Sequence, residues 1–169
     1  MYLHYKQLFG KILMMISITE MEMIILENDD EFLDKMNLKE MVDYLINTIL
    51  IYVLELEDDL YPESTIKLSS QAATEIKNNI KLIAKELFIA DILIIGDINN
   101  RNCLVDEDLN TDRFNFLDEK NLIDGLRYII VALVKVQQNI SKVMDEERIK
   151  EILKKAYTYI ENIDTLYNK

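Results

Sequence analysis

Glycine and proline are so scarce in this chain that long, uninterrupted helices are the structure it most readily forms. Its 169 residues contain three glycines and one proline, which excludes a loop-rich β-sandwich or a collagen-like chain. Half of the residues are hydrophobic and 30% are charged, a balance typical of a globular protein rather than of a disordered or membrane-filling one. The length predicts one domain over residues 1–169, with residues 1–20 as a candidate N-terminal extension.

Apolar residues recur at helical spacing in nearly every segment. The spacing predicts five helices, over Tyr2–Glu27, Asp30–Leu60, Pro62–Ile98, Glu119–Met144 and Glu146–Tyr167. The positions that the spacing predicts on one face of a helix are Leu8, Ile12, Met15 and Thr19 on the first, Leu38, Met41, Leu45, Ile49 and Tyr52 on the second, Ala72, Ile76, Ile80, Ile83, Leu87, Ala90 and Ile94 on the third, and Ile149, Ile152, Leu153, Ala156, Tyr159, Ile160 and Ile163 on the fifth. Asn37 with Glu40 resembles a capping box that restarts the second helix, and Asp118 and Asp145 are expected to cap the fourth and fifth. Gly96, Asn99 and Asn100 are expected to end the third helix.

Short links join the second helix to the third and the fourth helix to the fifth. We therefore expect the helices of each pair to pack side by side and antiparallel. The segment Asn99–Leu117 is the one long irregular connection in the sequence. The predicted fold is therefore all-α: a four- to five-helix antiparallel bundle with one long connection.

The second, third and fourth predicted helices carry more apolar residues than one buried face can hold. A helix that is apolar nearly all round is either central or buried against a second subunit. We therefore expect a homo-oligomer, most simply a two-fold homodimer. The leading functional hypothesis is a non-catalytic module that acts through oligomerisation or contact with a protein partner.

The net charge of −12 argues against binding to nucleic acid or to anionic lipid, because both need a basic face. The single cysteine, Cys103, excludes an intrachain disulfide. The longest apolar stretches fall short of the roughly 20 residues that a membrane-spanning helix needs. The apolar run Ile12–Ile18 is short and lacks a cleavage site after it, so a secretory signal peptide is not expected. These observations predict a cytoplasmic protein with no membrane and no nucleic-acid partner.

Complete catalytic sets are missing from the sequence. Its one histidine, His4, leaves no Glu-x-x-His pair for a di-iron bundle, no Ser-His-Asp or Cys-His arrangement, and too few ligands for zinc. The three glycines stand far apart and form no phosphate-binding loop. An enzyme is therefore disfavoured, and we assign no cofactor.

An acidic loop places oxygen ligands at alternate positions, as calcium loops do. Its candidate cation ligands are Asp106, Asp108, Asn110 and Asp112. Thr111 stands where a calcium loop has its turn glycine, and Leu117 stands where it has its bidentate glutamate. A cation site and a solvated acidic loop both remain open, and the solvated loop is favoured.

Asp91 is the polar residue that the sequence singles out, because its helical neighbours are all apolar. A buried carboxylate needs a partner or a raised pKa. Arg127 and Lys135 are candidate partners, and Asn47 is similarly placed among apolar residues. A ligand pocket built from these four side chains is one hypothesis; a structural ion pair that fixes helix register is the favoured alternative.

Paired carboxylates resemble those of magnesium-dependent all-α nucleotide pyrophosphatases, which use two such pairs on facing helices. Glu55 with Asp58 matches one pair. Glu86 and Asp91 depart from the second pair, because five residues turn about 140° around a helix. A nucleotide pocket around Asp91 is therefore kept as an alternative function.

The segment Asp124–Leu133 resembles the central motif of the Bcl-2 family, in which Asp-Gly is followed by Asn-Trp-Gly-Arg and an apolar helix. Here Asn-Trp-Gly is missing, and Arg127 follows Gly125 too soon. The resemblance implies a viral interaction protein as a distant alternative.

A few long helices with one long connection, in a chain rich in lysine and isoleucine, are similar to uncharacterised archaeal bundle proteins of the cobalamin adenosyltransferase-like fold. Enzymes of that fold bind ATP with an N-terminal Gly/Thr-rich loop, which this sequence lacks. The resemblance implies the bundle and a possible nucleotide or cofactor ligand, and it carries over no catalytic residue.

Overall fold

A computed structural model describes residues 31–58, 69–101 and 109–167. These residues form a helical bundle without a β-strand, so the predicted all-α class is confirmed. The elements are α1 (Glu31–Lys35), α2 (Leu38–Asp58), α3 (Ser70–Ile98), a 3₁₀ segment (Thr111–Glu119), α4 (Leu122–Gln138), a 3₁₀ turn (Ile140–Lys142) and α5 (Glu146–Tyr167). The predicted helix Tyr2–Glu27, the helix start at Pro62, and the residues His4 and Cys103 lie outside the described residues.

Side-chain caps decide where the helices begin. The Asn37 side chain accepts the Glu40 N–H at 2.8 Å and donates to the Glu40 carboxylate at 2.7 Å, which confirms the restart at Leu38. Asp145 accepts the Arg148 N–H at 3.2 Å and caps α5 as predicted. The predicted cap of the fourth helix by Asp118 is wrong. Instead Asn121 accepts the Asp124 N–H at 2.8 Å, so α4 begins three residues later than expected.

Backbone hydrogen bonds end α3 where the sequence predicts. Asn100 has a φ of 53°, the left-handed conformation that stops a helix. The Arg101 N–H donates to the Gly96 carbonyl at 2.8 Å, and the Asn100 N–H donates to the Asp97 carbonyl at 3.3 Å. This pair of bonds is a Schellman motif, which supplies hydrogen-bond donors to carbonyl groups that have none within the helix.

The end of the fourth helix and the form of the long connection differ from the prediction. α4 ends at Gln138 rather than Met144, because the Asn139 side-chain amide donates to the Lys135 carbonyl at 3.0 Å and a 3₁₀ turn follows. The sequence predicts an irregular connection up to Leu117. Its last part instead belongs to the 3₁₀ segment, whose Phe114 and Leu117 are buried. Burial of these two side chains orders a segment that shows no helical periodicity of its own.

Contacts between side chains give the direction of each helix. In antiparallel pairs, residues late in one helix meet residues early in the other. α2 pairs in this way with α4, and α3 with α5. The contacts that show it are Arg127–Glu57 at 2.5 Å, Gln137–Asp43 at 2.5 Å, Asn162–Asn79 at 3.3 Å and Met144 N to Asp97 at 3.1 Å.

The expectation that helices next to each other in sequence also pack together is wrong for both predicted pairs. Within the described ranges, neither α2 with α3 nor α4 with α5 forms a close interface. The 3₁₀ segment instead runs back along α3, where Phe114 meets Phe88 with 6.0 Å between ring centroids and Asp118 meets Lys81 at 3.0 Å. This path carries the chain to the far end of α3, so α4 runs parallel to α3 and beside it.

The predicted core faces are confirmed almost residue for residue. Each helix buries the stripe that its periodicity indicates, and only Ala72 and Tyr159 among the predicted positions are half-buried instead. The buried predicted positions are Leu38, Met41, Leu45, Ile49, Tyr52, Ile76, Ile80, Ile83, Leu87, Ala90, Ile94, Ile149, Ile152, Leu153, Ala156, Ile160 and Ile163. Among the residues that the structure describes, no helix combines the length and apolar character needed to cross a membrane.

Gly125 gives a direct test of how closely α3 and α4 pack. A Cβ atom at Gly125 would lie 3.4 Å from Ile80 Cδ1 and 3.5 Å from Ile80 Cγ2, which is an ordinary contact distance. Alanine also loses less backbone freedom on folding than glycine does. We therefore expect Gly125→Ala to raise the free energy of unfolding by about 0.5–1 kcal/mol in urea titrations.

The matched control at this position is Gly125→Leu, which overfills the same contact and is expected to lower the free energy of unfolding by about 1–3 kcal/mol. A destabilised alanine variant would contradict the helix spacing given by these two distances.

Candidate interaction surface

Arg127, one of the two predicted partners of Asp91, forms ion pairs with other residues. The Arg127 guanidinium lies 2.5 Å from a Glu57 carboxylate oxygen and 3.6 Å from an Asp124 oxygen. Asp91 itself is half-buried on α3, and Lys135 is exposed. Arg127 therefore links α4 to the last turn of α2 and does not pair with Asp91.

Arg127 lies at a different level of the bundle from the other three residues of the predicted pocket. Asn47 precedes Glu57 by ten residues, about 15 Å along α2, and Lys135 follows Arg127 by eight residues, about 12 Å along α4. α3 and α4 run parallel with Ile80 facing Gly125, which puts Asp91 level with the end of α4 rather than with Arg127. The structure does not gather Asn47, Lys135 and Arg127 at one point, and a pocket around Asp91 stays a prediction.

The predicted cation loop is only partly described. Asp106 and Asp108 lie outside the described residues. Asn110 caps the 3₁₀ segment, because its side-chain oxygen accepts the Asp112 N–H at 3.1 Å, and Asp112 is exposed. In the described ranges, no three acidic, histidine or cysteine residues lie close enough together to hold a metal ion.

A different acid from the one predicted is buried in the core. Glu86 is 6% exposed, and burial raises the pKa of its carboxyl group, although the positive charges of Lys155 and Lys85 lower it. The sequence carries the same indication as for Asp91: Leu82, Ile83, Ile89 and Ala90, one turn before and after Glu86, are all apolar.

An apolar groove of about 520 Å³ runs between α2 and α4. Leu50, Val53 and Leu54 line it on the α2 side, and Ile130 and Val131 line it on the α4 side. The Arg127–Glu57 ion pair closes one end. The groove has little polar lining and offers no set of groups for acid–base chemistry.

The outer face of α4 carries an exposed stripe that is not purely polar. It consists of Asp124, Tyr128, Val131 and Lys135, separated by four, three and four positions. Val131 is 56% exposed and Tyr128 is 37% exposed, and both charged residues are exposed. Phe116 of the 3₁₀ segment, 43% exposed, lies beside Tyr128 with 5.4 Å between ring centroids. We call these four α4 residues the α4 stripe.

No protein-family model, curated protein or solved structure matches this chain. The three predicted resemblances, to the nucleotide pyrophosphatases, the Bcl-2 family and the adenosyltransferase-like bundles, therefore stay predictions. Among the residues that the structure describes, the α4 stripe and the adjacent Phe116 bring together three exposed large apolar side chains, Phe116, Tyr128 and Val131.

Proposed function

We propose that this chain is a non-catalytic helical-bundle module that functions as a homodimer, with the α4 stripe as the interface. The observation that carries the proposal is the spacing of the stripe. Steps of four, three and four residues keep side chains on one line of a helix, as in the seam of a coiled coil. Residues on the solvent side of a monomeric bundle helix are ordinarily polar, whereas the centre of this line is Tyr128 and Val131.

The order of the charges makes the stripe complementary to itself. In an antiparallel pair of α4 helices related by a two-fold axis, Tyr128 can be placed opposite Val131 of the second copy. The same register then places Asp124 opposite Lys135 of the second copy, and the symmetry repeats both contacts. A two-fold interface of this kind buries the apolar centre and leaves one ion pair at each end.

Phe116 supports the same arrangement from outside the stripe. Its ring packs edge-on against Tyr128, with an interplanar angle of 75°, and remains 43% exposed. Exposed aromatic side chains beside an apolar patch are typical of protein–protein interfaces. A ring at this place extends the exposed apolar area around Tyr128.

A charge-exchange experiment tests the proposal in the full chain. Asp124→Lys and Lys135→Asp each bring like charges together twice in the proposed register, so each should raise the dimer dissociation constant about tenfold or more. The double variant restores both ion pairs, and its dissociation constant should return close to that of the parent chain. Sedimentation over a concentration series measures all four proteins.

Glu151→Lys on α5 is the matched control, because it reverses an exposed charge away from the stripe and should leave the dissociation constant unchanged. A parent chain that stays monomeric at every concentration would overturn the proposal. A double variant that dimerises no better than the single variants would overturn the antiparallel register.

A further inference from the structure

The homodimer proposed above needs more contact surface than the α4 stripe supplies. A specific interface takes about 20–30 residues from each partner, whereas the stripe has four side chains. The 3₁₀ segment Thr111–Glu119 lies next to the stripe, because the Phe116 ring packs against the Tyr128 ring. Most residues of this segment are exposed. The segment is therefore a surface that can enlarge the interface.

Two of the three sides of the 3₁₀ segment are already in contact with the bundle. A 3₁₀ helix has three residues per turn, so side chains three positions apart lie in one line. Phe114 and Leu117 form a buried line. Asn115 and Asp118 form a line that faces α3, where their side-chain oxygens accept hydrogen bonds from Lys81 Nζ at 3.3 and 3.0 Å.

The third side of the 3₁₀ segment is open. It consists of Arg113, Phe116 and Glu119, and all three residues are exposed. We call these three residues the 3₁₀ line. A positive charge, an aromatic ring and a negative charge follow one another along it, at equal steps of three positions. Such a line is complementary to an antiparallel copy of itself, because Phe116 meets Phe116 while Arg113 meets Glu119 twice.

The two-fold axis of the proposed dimer brings the two 3₁₀ lines to the same place. An axis that relates two antiparallel α4 helices lies between them at right angles to both, so one flank of α4 is on the same side in both copies. The register of the stripe puts this axis midway between Tyr128 and Val131, about 2 Å along α4 from Tyr128. The Phe116 ring centroid is 5.4 Å from that of Tyr128, so Phe116 lies close to the level of the axis.

The direction of the 3₁₀ segment also fits this symmetry. Tyr128 lies about 60° around α4 from Gly125, the residue that meets α3, so the segment is on the flank of α4 nearest to α3. It runs along α3, which is parallel to α4, and the two-fold axis therefore reverses it. The two 3₁₀ segments of the dimer are then antiparallel to each other, as the order of charges on the 3₁₀ line requires.

Contacts with α3 hold the 3₁₀ segment in position. The Arg113 guanidinium carbon lies 4.4 Å from the centre of the Phe88 ring, and the Phe114 ring packs against the same ring with 6.0 Å between centroids. Lys77 Nζ donates a hydrogen bond to the Asp118 carbonyl oxygen at 3.1 Å. A surface that is already ordered loses little conformational freedom when a partner binds.

From these observations we infer that the 3₁₀ line is a second contact of the homodimer, an inference that rests on the proposed function. Phe116 of each copy meets Phe116 of the other copy at the two-fold axis, and Arg113 of each copy pairs with Glu119 of the other. One axis thus satisfies the α4 stripe and the 3₁₀ line together. A partner of different sequence lacks this double match, so the two lines make the interface selective for a second copy of this chain.

Exchange of charges on the 3₁₀ line tests the inference in the full chain. Arg113→Glu and Glu119→Arg each bring like charges together twice, so each should raise the dimer dissociation constant about tenfold or more in sedimentation. The double variant restores both ion pairs and should return close to the parent value. Arg148→Glu and Glu151→Arg are the matched controls, because they make the same changes at exposed positions of α5, and they should leave the dissociation constant unchanged.

A cross-linking measurement tests the contact at the axis without changing a charge. In a Cys103→Ser background, Phe116→Cys should give a covalent dimer with a short bismaleimide, because position 116 faces itself in the second copy. Met144→Cys, at a residue that is 76% exposed, should give none.

The outcomes separate the two proposals. Single charge variants that dimerise as well as the parent chain, or a position 116 that does not cross-link in a dimeric protein, would overturn the second contact and leave the α4 stripe as the interface. A double variant no better than the single variants would overturn the pairing of Arg113 with Glu119. A parent chain that is monomeric at every concentration would overturn both the stripe and the second contact.

Discussion

Leu45→Ala is expected to lower the free energy of unfolding by about 2–5 kcal/mol. The Leu45 side chain is 0% exposed and lies on the face of α2 that points into the bundle. Its removal costs the transfer free energy of the lost carbon atoms and leaves a cavity that the packed helices fill only in part. Urea titration followed by circular dichroism measures the change.

Leu50→Ala is the matched control for this prediction, since the same atoms are removed from the same helix. Leu50 is half-buried and lines the α2–α4 groove, so less area is lost and no closed cavity is created. The loss should be clearly smaller than for Leu45→Ala. Equal losses at the two positions would contradict the placement of Leu45 inside the core and Leu50 at its edge.

Glu86→Leu is expected to raise the free energy of unfolding at neutral pH by about 1–3 kcal/mol. The carboxyl group of Glu86 is removed from water between α3 and α5, and burial outweighs the attraction of Lys155 and Lys85 in setting its pKa. Replacing a buried ionisable group with an apolar side chain of similar size is often stabilising for this reason. The measurement is urea unfolding of both proteins at a series of pH values.

The pH dependence of this gain follows from the raised pKa. The unfolded chain loses the Glu86 proton near the ordinary glutamate pKa of 4.5, whereas the folded chain keeps it to a higher pH. Below that value both states are protonated, and the contribution of Glu86 to stability is fully present. It is lost as the pH rises through the folded pKa, so the advantage of Glu86→Leu over the parent chain should grow from acid to neutral pH.

Glu151→Leu provides the comparison for Glu86→Leu, because Glu151 is an exposed acid on α5 and should give no gain that grows with pH. A Glu86→Leu protein whose advantage is the same at acid and neutral pH would show that the Glu86 carboxyl does not titrate at a raised pKa.

The helices and their buried faces could be predicted from the sequence because both depend on local information. The period of apolar residues selects Leu45 and Ile49 on α2, and the side-chain oxygens of Asn37 and Asp145 cap helices within a few residues. The shift of the fourth helix start to Leu122 is different, because it involves a contact between residues 37 positions apart. Asn121 and Asp118 are both competent caps, and the contact of Asp118 with Lys81 decides between them.

The pairing of the helices could not be predicted in the same way. Periodicity says which side of a helix is buried, and it does not say which helix covers that side. The sequence makes Arg127 a candidate partner of Asp91 because both lie on apolar helices, whereas the antiparallel alignment of α2 with α4 brings Glu57 to Arg127. Asp91 and Glu86 have equally apolar neighbours in sequence, yet Glu86 is the buried one and lies within reach of the charge of Lys155 on α5.

The packing of each helix against one that is distant in sequence affects how this chain folds. Glu57 and Arg127, which join α2 to α4, are 70 positions apart, and Asn79 and Asn162, which join α3 to α5, are 83 positions apart. Bundles of consecutive antiparallel helices can begin with a local helical hairpin, whose short loop costs little entropy to close. In this topology the close interfaces of the described helices form only after long loops have closed. We therefore expect the bundle to fold more slowly than an up-and-down bundle of equal length, with apolar helix faces exposed until the distant partners meet.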